Sequence, residues 1–218
     1  MYRKAWCFKT LFPQKISYNT LELTKAIMKK FSIILALDNE NGIWKNNDLA
    51  WDLPEDRKYF RQVTTQTKNP EKQNAVVMGR KTWESIPEKY RPFKQRQNFI
   101  LSRSCQDGSK NDQWAYNFCS LDTCLDFIEN REDIEDIFII WWSQLYNEVI
   151  DHPCLEKAYI TRVFSKFHCD VFFHGLPHWK FRETYRSEMH NQGDIEYEFL
   201  IYTKKRSILN KISSLFKK

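Results

Sequence analysis

Glycine is scarce in this chain, with five residues in 218 against eight tryptophans. Globular domains ordinarily carry about 7% glycine, so turns and close backbone approaches must here be made with larger residues. Long apolar runs are missing too. The strongest, IFIIWW at 137–142, covers six residues, far short of the ~20 that a membrane-spanning helix needs. The six cysteines form no CxxC pair and share no zinc-like spacing with the five histidines. That argues for free thiols in a reducing compartment over a disulfide framework, and no metal is expected. His174 and His178 lie four apart, but Gly175 and Pro177 between them break any shared helical face. Acid is nearly absent from both ends. Glu22 is the single acid before residue 30, and the last fifteen residues hold six Lys or Arg and no acid. Much of the net charge of +6 thus belongs to the tails, and it is not gathered with aromatics on one face as in a nucleic-acid groove, so no nucleic-acid partner is expected.

What is present is an alternation of strands and helices. Hydrophobic residues make up 42% of the chain and aromatics 16%, enough for a folded core. SIILAL (32–37), NAVVMG (74–79), NFILS (98–102), IFII (137–140) and KAYITRVF (157–164) read as buried strands. Between them EDRKYFRQVTTQ (55–66), KTWESIP (81–87) and DTCLDFIENRED (122–133) read as helices. The order predicts an α/β fold with a largely parallel central sheet and flanking helices. VFFHGL (171–176) and IEYEFLIYTK (195–204) are expected to pair as its antiparallel edge. One domain should span 31–203, between a basic N-terminal extension (1–30) and a basic amphipathic tail (204–218). The extension reads equally as a mitochondrial presequence or as a disordered or docking extension, and Met28 offers an internal start. In the tail, Ile208, Leu209, Ile212, Leu215 and Phe216 recur at helical spacing. Such a stretch suits a membrane surface or a protein partner's groove, and equally a solvated end.

Four segments carry chemistry: LAWDLPEDRKYF (49–60), MGRKTWESIP (78–87), RPFKQRQNFILSR (91–103) and IFIIWWSQLYNEVI (137–150). Each sets a turn or helix start beside an apolar strand, where backbone amides and polar side chains can converge on a ligand. Asp56 falls in the first turn behind Pro54, a good helix starter; it is either an acid favoured by the helix dipole or a pocket carboxylate. Arg96 at a strand entrance suits bidentate capture of a carboxylate, or is one more surface arginine in a charged stretch. Thr161 fits its strand by β-propensity alone.

Together the four segments resemble the dihydrofolate reductase family over residues 31–203. The resemblance implies that family's α/β fold and NADPH-dependent reduction of dihydrofolate to tetrahydrofolate, with dihydrofolate and antifolates as ligands. It implies Asp56 as the catalytic carboxylate, orienting the pterin and favouring its protonation. Thr161 would support Asp56, Arg96 would grip the glutamate tail of folate, and Ile34, Ala36, Phe60, Ile86 and Phe93 would line the substrate pocket. Gly79, Arg80, Lys81 and Thr82 would hold the cofactor's phosphates, with Ser102 and Arg103 at the 2′-phosphate and Tyr146 beside the nicotinamide. Location in the cytoplasm follows, or in the mitochondrion if the extension is a presequence.

The chain also departs from the family. Trp141-Trp142 replace a glycine pair, Trp44 replaces a glycine in the loop that closes over the nicotinamide, Gln95 replaces a glycine and Ala50 a proline. One indole buries on the order of 200 Å². The alternative reading is therefore a catalytically inactive member serving as a binding or assembly subunit, its cofactor pocket blocked by Trp141, Trp142 and Trp44. A third is a codon that the host reads as glycine, rendered here as tryptophan.

Overall fold

Apolar runs too short for helices and rich in β-branched residues build the centre of the fold. In the computed structural model, residues 29–46, 48–140, 146 and 149–205 are described. The expectations placed on residues 1–28, on Trp141-Trp142 and on the amphipathic stretch 206–218 lie outside the described residues. Strands β1 (Phe31–Leu37), β4 (Gln73–Gly79), β5 (Arg96–Leu101), β8 (Ile134–Ile140) and β9 (Leu155–Val163) match the five predicted runs. With β6 (Ser109–Lys110), β7 (Tyr116–Phe118), β11 (Phe181–Arg186), β12 (His190–Gln192) and β13 (Ile195–Lys204) they form one ten-stranded sheet. Its order is β11-β13-β9-β1-β8-β4-β5-β7-β6, with β12 on β13. The interior pairs β9-β1, β1-β8, β8-β4, β4-β5 and β5-β7 are parallel, while β13, β11, β12 and β6 pair antiparallel at the margins.

Side chains alternate across this sheet and sort themselves into two cores. Ile33, Leu35, Ala75, Val77, Phe99, Ile137 and Ile139 pack on one face with Cys124, Leu125 and Ile128 of helix α3 (Leu121–Glu129). The intervening residues Ile34, Val76, Met78, Ile100, Phe138 and Ile140 face the other way. They meet Phe60 and Val63 of helix α1 (Pro54–Thr65), and Trp83 of helix α2 (Arg80–Ser85) with Ile86 just beyond it. Pro54 starts α1, with Glu55 and Asp56 in its first turn. Ser120 caps α3 by accepting from the Thr123 amide at 3.1 Å. None of the described helices is long and apolar enough to cross a membrane.

One pairing differs from expectation. Val171–Phe172 forms β10, which joins β2 (Gly42–Lys45) and β3 (Asp48–Leu49) in a separate three-stranded sheet. The antiparallel edge beside β9 is instead built by β13 and β11. FRETYR gave no signal because only Phe181 of β11 is buried and its other five residues face water. Gly42, opening β2, is held by a close approach: a Cβ there would lie 2.5 Å from Cys169 Cβ. The Gly42 amide donates to the buried Asp38 carboxylate at 2.7 Å, and Glu40 donates to the same oxygen at 2.8 Å. That turn launches the segment carrying Trp44.

Candidate functional site

Helix α1 delivers one residue per turn to a single face, through Asp56, Phe60 and Thr64 at intervals of four. Asp56, half-buried, accepts from Thr161 Oγ1 at 2.6 Å. Thr161 stands on the same sheet face as α1 and pairs in register with Ala36 of β1. Burial pushes the Asp56 carboxyl up to about 6, against the opposing pull of the Thr161 hydrogen bond. Removal of the charged form from water outweighs the one donor supplied to it. The result is a carboxyl that exchanges its proton near neutral pH.

Phe60, one turn on, opens into a cavity of about 1020 Å³ walled by Trp44, Trp51, Phe60, Ile86, Phe93 and Arg96. Phe60 and Phe93 meet edge to face at 5.7 Å. Arg96, on the same wall, is 9% exposed, which removes the surface-arginine alternative. Its Nη1 donates to Thr64 Oγ1 at 2.8 Å and its Nε to the Lys94 carbonyl at 3.1 Å. Its guanidinium centre lies 4.8 Å from the Phe93 ring centroid. No described carboxylate pairs with Arg96, and its burial, followed by repulsion from Arg61, lowers its pKa to about 10. A buried guanidinium without a counter-ion is costly, and an incoming anion could offset that cost. Gln95 keeps the left-handed backbone, φ +64°, that its position demands. The loop therefore presents Arg96 as a glycine would let it.

Ile34 and Ala36 occupy the site face of β1, beneath the wall formed by α1. On the opposite side of α2 the sheet edge turns basic. Gly79 pairs in register with Leu101, so the end of β4 with Arg80 and Lys81 lies beside the end of β5 with Ser102 and Arg103. Arg80 bonds Glu84 at 3.0 Å; Arg80, Lys81 and Arg103 are exposed, Ser102 is partly so and Thr82 is buried. The C-terminal edge of parallel strands is where open α/β sheets bind ligands. Tyr146 is fully buried and donates from its hydroxyl to the Ile34 carbonyl at 2.7 Å. It thereby fixes the strand that carries Ile34 and Ala36.

Thr64, Trp51 and a rim of basic residues escaped sequence reasoning. Thr64 anchors Arg96, yet it reads as an ordinary helical threonine; its spacing of eight from Asp56 is the signal that was there. Trp51 lines the cavity, and its buried indole N–H has no acceptor among the described residues. Such an orphaned donor awaits a ligand carbonyl or a water. Arg57, Arg61, Lys89 and Lys94 rim the cavity, where they read in sequence as solvated charge. Trp44 forms part of the wall and leaves the large volume open.

The sequence model of the dihydrofolate reductase family matches residues 30–205. A dihydrofolate reductase of Heliothis virescens is 36% identical over 180 residues, 80% of this chain and 97% of that protein. One of Mus musculus is 35% identical over 188 residues, 82% of this chain and the full length of that protein. A bifunctional dihydrofolate reductase-thymidylate synthase of Glycine max is 35% identical over 187 residues, 83% of this chain and 35% of that protein.

Proposed function

Because the chain belongs to the dihydrofolate reductase family, we propose that it is an active enzyme that reduces dihydrofolate to tetrahydrofolate with NADPH. The observation that carries this reading is the layout along α1. At one end stands a carboxyl tuned near neutrality, and two turns away stands Arg96, held by Thr64. Eight helical residues span about 12 Å. That length suits a ligand with a hydrogen-bonding ring at one end, an aromatic spacer and a carboxylate at the other. The rings of Phe60 and Phe93 and the Ile86 side chain flank the spacer's position.

In this reading the Asp56 carboxylate accepts two hydrogen bonds from the ring's amidine-like edge and holds it against Ala36 and Ile34. The proton that Asp56 exchanges near pH 6 favours protonation of the ring before reduction. The Trp51 N–H supplies a donor to the carbonyl side, directly or through water. Arg96 takes the tail carboxylate as a two-pronged partner. NADPH, when bound, supplies the hydride. The residues present fit it, since Arg80, Lys81 and Arg103 gather cationic charge at adjoining strand ends. Trp44 walls the cavity beside Phe60 and Arg96 without filling it.

The full chain is expected to oxidise NADPH only when dihydrofolate is added, and Asp56→Asn to lower kcat/KM about 10²- to 10⁴-fold. The pH profile of kcat/KM should show an apparent pKa near 6 that the variant lacks. A full chain with no dihydrofolate-dependent turnover sinks the proposal.

A further inference from the structure

Away from the cavity, the loop after β5 and the residue before the α3 cap bring two thiols and a carboxylate together. Cys105 Sγ lies 3.1 Å from Cys119 Sγ, and the Asp107 carboxylate completes a group whose ligand atoms all lie within 4.8 Å of one another. We propose that Cys105, Cys119 and Asp107 form a binding site for a soft divalent cation of the zinc class, with water as fourth ligand.

The donor set suits such an ion: two sulfurs and one oxygen can serve three corners of a tetrahedron, leaving the fourth open. The surroundings orient the donors. Asp107 Oδ1 accepts from the Cys119 amide at 2.5 Å and from Thr123 Oγ1 at 3.4 Å, so one carboxylate oxygen is braced while the other remains for an ion. Ser120 locks the start of α3, fixing the position of Cys119. The Gly108 amide bonds the Asn117 carbonyl at 2.8 Å, and the Ser102 amide bonds the Phe118 carbonyl at 2.9 Å. Both ends of the 103–107 loop are thus tied to β7, the strand that leads into Cys119. Cys119 is exposed and Cys105 partly so, giving an ion an open path. Binding releases the two S–H protons to solvent as two sulfur–metal bonds form. Fourteen residues separate the cysteines, so no short motif announces the site.

Cadmium is the probe. Titrating the fully reduced full chain should raise a thiolate-to-metal charge-transfer absorption that saturates at one equivalent and is lost when excess chelator removes cadmium. Cys105→Ser and Cys119→Ser should each abolish saturation at one equivalent, and Asp107→Asn should weaken binding while the sulfur band remains. On the unaltered protein, cadmium should protect Cys105 and Cys119, and not Cys7, from iodoacetamide in peptide mapping, which decides the matter even if a variant fails to fold. Absence of the band, its persistence in the Cys105→Ser/Cys119→Ser double variant, or a Cys105–Cys119 disulfide that withstands reductant would each overturn the site. None of these readouts involves turnover, so the site stands or falls apart from the reductase proposal.

Discussion

Asp56 carries a stability cost whose sign can be worked out. Its folded pKa of about 6 exceeds the ordinary value of 3.8. Between those values the folded protein holds a proton that the unfolded chain has released, so stability falls as pH rises through the window. Above it, the buried charge costs about 3 kcal/mol. Asp56→Asn keeps an acceptor for Thr161 and removes the charge. Urea melts should show it more stable by about 1–2 kcal/mol at pH 7.5 and nearly unchanged at pH 4; an equal effect at both pH values would refute the raised pKa. Gln95 and Trp114 carry a different cost, the left-handed backbone, at φ +64° and +61°. Each costs about 1 kcal/mol in a residue with a Cβ. Gln95→Gly and Trp114→Gly should each raise the midpoint of unfolding, and Trp114 sacrifices little packing because it is 76% exposed. Family resemblance pointed to glycine at position 95, and the backbone has kept that shape without it.

At the scale of elements, α1 shows what sequence reading can and cannot reach. Asp56, Phe60, Ile34 and Ala36 were all singled out by the family resemblance; the structure sets Ile34 and Ala36 two apart on β1, and Asp56 and Phe60 one turn apart on α1. Thr64 was not legible, because its partner Arg96 arrives from a strand entrance thirty residues on, and helical spacing says nothing about what crosses to meet it. Removing its hydroxyl leaves a buried guanidinium short of an acceptor. Thr64→Val should weaken methotrexate, which carries a glutamate tail, by about tenfold, and leave a diaminopyrimidine without a carboxylate nearly unaffected. Isothermal titration of both ligands tests this, and equal losses would show that Thr64 shapes the whole pocket and not Arg96 alone. The short elements β3 and β6 were illegible for a related reason: two residues hold no periodicity, and each exists only through its partner; β10 was read as a strand but given the wrong partner.

At the scale of the molecule, the sheet's parallel interior was readable from its near-continuous apolar strands, as buried parallel strands require. Its antiparallel margin was expected and β13 supplies it, but the outer strand was misassigned, since β11 shows water five of its six residues. The described fold closes with β13, inserted between β9 and β11. A fragment of residues 29–205 is therefore expected to melt in one transition and to show the same antifolate-induced rise in Tm as the full chain. Loss of that transition would mean that residues beyond the fragment pack against this sheet. The strand order has a further consequence, for synthesis. Both neighbours of β1 in the sheet, β8 and β9, begin only at Ile134 and Leu155. A ribosome that has finished β1 must go on through β8 before that strand is paired on one side and into β9 before it is paired on both, and Asp56 waits as long for Thr161. The emerging chain has no ligand site until then and must be kept from aggregating by other means. An antifolate given to cells making an unstable variant can rescue finished chains, never nascent ones.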